Sequence, residues 1–168
     1  MTTTKEQGIT VTITTPTDRE VVVTREFNAP RALVFDAVTK ADLIKRWYGA
    51  PGSMESCESD PRPGGALRFV TNLGGGKQMV LHGVYKEIDA PRGFVRSQRW
   101  EGSDAPETIM KVELVEHAGK TTLTQTFVFP SQELRDTMLK MGANPQGMSA
   151  FYVRLDDLLA SQQEERNR

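Results

Sequence analysis

The sequence predicts an α+β fold: a curved antiparallel sheet of six to seven strands wrapped around one long C-terminal helix, with two short helices between the first strands. Three observations carry that expectation. From about residue 53 to 129, short runs of strand-like residues alternate with turn segments, the pattern of an antiparallel meander. Connections this short force neighbouring strands to run antiparallel. From Met148 to Leu159, apolar residues recur at i, i+3, i+4 and i+7, one face of a helix. A sheet with one apolar face has to cover it, and this striped helix is the only element large enough.

Taken in order, Ile9, Val11 and Ile13 alternate with threonines, an extra N-terminal strand at about 9–14 that Pro16-Thr-Asp18 then turns. Val21 to Phe27 reads as a second strand. Pro30 suits the first turn of a helix, where its missing N–H is not needed, and Leu33, Val34, Ala37 and Val38 mark one face of that helix. Thr39 followed by Asp42 resembles a capping box that restarts a short helix carrying Leu43, Ile44 and Trp47. Gly49 to Gly52 stops it. Strands then fall at about 53–60, 66–72, 78–89, 94–101, 107–116 and 121–129. Ser131 is a candidate N-cap for a helix that Gly142 ends, and Asn144-Pro145 is a cap and first-turn pair for the last helix, to about Glu164.

The 168 residues suit a single domain spanning 1–168, with its core at 20–160. A formal net charge of −1 gives no electrostatic reason to expect nucleic acid or an acidic membrane as partner. No run approaches the roughly 18 apolar residues of a membrane span. The N-terminus lacks the apolar core of a signal peptide and Cys57 is the one cysteine, so the expected location is cytoplasmic.

Signals of catalysis are sparse. The sequence has no G-x-S-x-G, C-x-x-C or H-E-x-x-H motif. Leu73-Gly-Gly-Gly-Lys77-Gln78 lacks the spacing of a phosphate loop and reads as a hairpin turn. His82 and His117 do not make a metal site on their own, and Cys57 reads as a half-buried thiol. No cofactor and no metal are expected.

Binding is better supported. A twisted sheet of this size offers more inner face than one helix covers, and the two short helices plug one end only. The space left over would be lined by Met110, Val112, Leu123, Phe127, Met148 and Tyr152, with Gln125 as a polar exception. Trp100, Phe151 and Leu155 complete the apolar candidates, and His82 either joins them or is an ordinary strand histidine. Arg96 and Gln98 lie between Phe94 and Trp100, and Gln125 between Leu123 and Phe127. Facing inward, they need partners: a ligand's polar end, a neighbouring side chain or a trapped water.

Several segments resemble a known family. Val23-Thr-Arg25-Glu-Phe27-Asn-Ala-Pro30-Arg-Ala-Leu-Val34-Phe-Asp-Ala37 is similar to the opening of the SRPBCC (START/Bet v-like) superfamily, in the branch named for the activator of the heat shock protein 90 ATPase. Arg46-Trp47-Tyr48-Gly49, Asp60-Pro-Arg62-Pro-Gly64-Gly65, His82-Gly83-Val84-Tyr85 and Tyr152-x-Arg154-Leu155-Asp156-x-Leu158-Leu159 match its later landmarks. The resemblance implies a helix-grip fold built around a cavity. The expected function is non-catalytic binding of a small hydrophobic ligand by a monomer or homodimer. The alternatives are a polyketide cyclase- or aromatase-like enzyme using Arg96, Gln125 or Tyr152, and a co-chaperone-type interaction module.

Overall fold

A computed structural model of the chain describes residues 2–6, 9–142 and 145–167, with side chains described for 11–142 and 147–167. Thirteen elements follow in order: β1 (Thr2–Glu6), β2 (Ile9–Thr14), β3 (Glu20–Phe27), α1 (Arg31–Thr39), α2 (Ala41–Trp47), β4 (Met54–Ser59), β5 (Ala66–Gly74), β6 (Lys77–Asp89), β7 (Gly93–Trp100), β8 (Thr108–His117), β9 (Lys120–Val128), α3 (Gln132–Met141) and α4 (Pro145–Arg166). The strands form one sheet in the order β1-β2-β3-β9-β8-β7-β6-β5-β4, antiparallel at every junction.

The sheet therefore has nine strands rather than six or seven: the eight segments placed along the sequence all join the one sheet, and a ninth is added to them. The strand passed over is β1, because Thr2-Thr-Thr-Lys5-Glu6 has no apolar alternation to reveal it. It pairs with β2 and extends the sheet beyond β3. The β5–β6 connection is the expected hairpin: Gly75 and Gly76 have φ of 61° and 77°, which a two-residue turn of this hand requires and glycine supplies without strain.

Caps depart from the sequence reading in two places. Pro30 is the N-cap of α1 rather than part of its first turn. Thr39 does not cap α2: it closes α1, its hydroxyl donating to the Phe35 carbonyl at 2.7 Å, and Lys40 is the N-cap without a side-chain bond. Ser131 does cap α3, accepting from the Leu134 N–H at 3.1 Å, and Gly142 closes that helix. Asn144 lies outside the described residues.

Helix α4 packs against β1, β2, α1 and α2. Met148, Tyr152, Leu155 and Leu159 are buried along one stripe with Leu158 beside them. Arg25 of β3, only 2% exposed, locks this packing by donating to the Tyr152 carbonyl at 2.9 Å and pairing with Asp156. Its guanidinium also lies over the Phe27 ring, 4.5 Å from the centroid. A second polar chain ties α1 to the sheet. The Tyr85 hydroxyl reaches Ser59 Oγ at 2.8 Å, and Ser59 Oγ donates to the Thr39 carbonyl at 2.5 Å. Among the described residues, no helix is long and apolar enough to cross a membrane.

Candidate functional site

Strand periodicity places one set of side chains on the inner face. Along β7 the set is Phe94, Arg96, Gln98 and Trp100; along β8, Thr108, Met110 and Val112; along β9, Leu123, Gln125 and Phe127. These strands are register neighbours, with Arg96 opposite Met110 and Met110 opposite Phe127. Val38, Ile44 and Trp47 from α1 and α2 close one end, while α3 and the first turns of α4 lie across the other side. The cavity between them measures about 600 Å³, within the usual range of small-molecule sites.

The cavity reaches the surface where α3 meets the β7–β8 connection. Met141, 75% exposed, stands on one rim, and Arg99, Ser103 and Pro106 on the other.

Nine of the residues named from the sequence share this wall. The strands bring together Trp100, Met110, Val112, Leu123, Gln125 and Phe127, and α4 adds Met148, Phe151 and Tyr152. Two do not belong to it. Leu155 is fully buried one turn further along α4, in the contact with the sheet and short helices. His82 sits one position out of phase with Leu81 and Tyr85, on the outer face between its register partners Arg68 and Arg99. The wall also contains Tyr48, Phe69, Phe129 and Leu134, which the sequence reading did not single out. For Phe69, alternation with Leu67 along β5 was the available signal.

The polar groups in the wall are arranged unevenly. Tyr152 donates its hydroxyl to Gln125 Oε1 at 2.6 Å, and Gln125 Nε2 points to Met110 Sδ at 2.8 Å. Thus the half-buried amide finds partners inside the protein. Arg96 is different: it is buried, its Nη2 makes one long bond to Gln98 Oε1 at 3.3 Å, and its Nε has no partner. Burial raises the Tyr152 hydroxyl pKa well above its ordinary value. Tyr48 is raised by burial too, against the opposing pull of the Arg96 charge. Burial likewise pushes the Cys57 thiol up to about 11. These groups stay neutral near pH 7, and Cys57 lies outside the cavity lining. Among the described residues, no group of three or more His, Cys, Asp or Glu side chains is placed to hold a metal ion.

Comparison with known proteins agrees with this geometry. The family model "Activator of Hsp90 ATPase homolog 1-like protein" matches residues 28–160. No curated protein matches the sequence. Among solved structures, a protein from Rhodobacter sphaeroides superposes with a TM-score of 0.81 at 25% identity, over 90% of this chain and 99% of that one. One from Staphylococcus epidermidis gives a TM-score of 0.76 at 26% identity, over 90% and 94%. A third, from Mycobacterium smegmatis, gives 0.78 at 23% identity, over 89% and 96%, and shows the shared fold.

Proposed function

The chain belongs to the family of activator of Hsp90 ATPase homolog 1-like proteins, and from that premise we propose that it holds a small, largely apolar molecule in its cavity without transforming it. The carrying observation is the cavity itself: about 600 Å³, walled by aromatic, methionine and aliphatic side chains, with a surface opening between α3 and the β7–β8 connection. Burial of apolar surface favours a guest by about 25 cal/mol per Å². Flexible methionines at 110, 138, 141 and 148 suit guests of more than one shape. Holding, rather than chemistry, is supported by the mutual satisfaction of Gln125 and Tyr152.

Native mass spectrometry of the freshly purified full chain tests this. The expected result is a co-purifying small molecule that leaves with organic solvent and is recovered unchanged after long incubation with the protein. Conversion of that molecule during incubation would move the reading to a cyclase-like enzyme. Stimulation of an Hsp90 ATPase, unaffected by a guest that fills the cavity, would move it to a co-chaperone.

A further inference from the structure

The cavity wall carries charge of one sign. The charged side chain on its inner face is Arg96, Arg99 touching only the rim from the outer face of β7, and no Asp or Glu is among the described residues that line it. Arg96 is 6% exposed. A buried guanidinium is ordinarily matched by an anion, because desolvating a cation is unfavourable until it is paired. Arg25 shows the ordinary case in the same molecule: also buried, it is matched by Asp156. No described carboxylate pairs with Arg96. Of its five N–H donors, one reaches Gln98 Oε1 at 3.3 Å, while Phe69 and Phe94 lie 5.5 and 5.9 Å from the guanidinium carbon. Aromatic faces stabilise a cation but do not neutralise it. Tyr48 and Cys57, whose titration feels its charge, are themselves held neutral by burial.

Position adds to charge. Phe94, Arg96, Gln98 and Trp100 descend one face of β7 from the closed end toward the opening, at roughly 6.6 Å per same-face step. Arg96 therefore stands about 13 Å inside Trp100 by the same spacing; Gln98 and its register partner Thr108 line the way between them, and Met110 and Phe127 lie level with Arg96. A guest entering apolar end last would set its head against the guanidinium and its body along this path.

We propose that the guest is an apolar molecule with a single carboxylate at its leading end, and that Arg96 is the counter-ion that recognises it. The proposal rests on the binding reading above and specifies its ligand class. A planar carboxylate matches the guanidinium fork, and one negative charge balances one cation. A phosphate monoester, carrying about −1.5 to −2 at neutral pH, would leave excess negative charge inside an apolar wall.

The test uses the full chain, a hydrophobic fluorescent dye, and two competitors of equal length below their micelle concentrations: decanoate and decanol. Wild-type protein should release the dye to decanoate at a concentration about tenfold lower than to decanol, as expected for one charge-assisted pair. Arg96→Met should remove that preference, decanoate and decanol then displacing the dye at similar concentrations, since the charged pair is lost. Arg96→Lys should retain part of the preference. Replacing an unmatched buried charge with an apolar chain is compatible with folding; should Arg96→Met fail to fold, Arg96→Gln carries the same comparison. Equal competition by acid and alcohol in the wild type, with the dye bound, overturns the carboxylate proposal alone. So does an acid preference that survives loss of Arg96. Failure of the dye, the acid and the alcohol to bind at all overturns the cavity reading and this proposal with it.

Discussion

Gln125 and Tyr152 act as a pair in which each satisfies the other inside the cavity wall. Tyr152→Phe leaves the Gln125 carbonyl without its donor, and Gln125→Leu leaves the hydroxyl without its acceptor. Gln125→Leu, which strands a fully buried hydroxyl, is expected to lower unfolding stability by about 1–3 kcal/mol, and Tyr152→Phe, which strands a half-buried amide, by about 0.5–1.5 kcal/mol. The double variant removes both groups and should lose less than the sum, a coupling that denaturant melts of the four proteins will read. Strict additivity would show that the two groups do not depend on each other. The need for a partner was legible from Gln125 lying between Leu123 and Phe127. The partner's identity was not, since Tyr152 is distant in sequence and joins it only when α4 packs on the sheet.

Helices α3 and α4 divide the work of the C-terminal third. Helix α4 carries the structural seam: Leu155, Leu158 and Leu159 are buried, and Arg25 fastens Tyr152 and Asp156 to β3. Leu155→Ala is expected to cost about 2–5 kcal/mol through lost burial and the cavity left behind. Leu155→Asp should prevent folding, and a soluble, cooperatively melting Leu155→Asp protein would refute the packing described here. The i, i+3, i+4, i+7 stripe announced α4 because its pattern persists over three turns. By the same logic it mis-sorted Leu155, since periodicity shows that a residue faces inward but not whether side chains or a cavity meet it there. His82 failed for the complementary reason. Its strand was legible, but the strand's phase depended on Leu81 and Tyr85 turning inward.

Across the whole molecule, the meander and the closing helix were written in local pattern, whereas β1 was not, because a threonine-rich edge strand lacks alternation. Arg96 was visible as a charge within an apolar strand, and its isolation emerged only with the nine strands assembled. One feature of that assembly reaches into kinetics. Helix α3 contains no fully buried residue, and its Leu134 and Met138 look onto the cavity. A guest filling that space supplies the contacts that this side of the helix otherwise makes least. Occupancy should therefore slow amide hydrogen exchange at 132–141 more than along α4, on top of a global stabilisation of about 2.7 kcal/mol at one hundred times Kd. Deuterium uptake with and without decanoate reads this directly, and equal protection of both helices would refute it. If α3 is the element that yields, the rate at which a guest departs is set by how often one capped helix lifts, and the capping bond at Ser131 becomes a timer for residence.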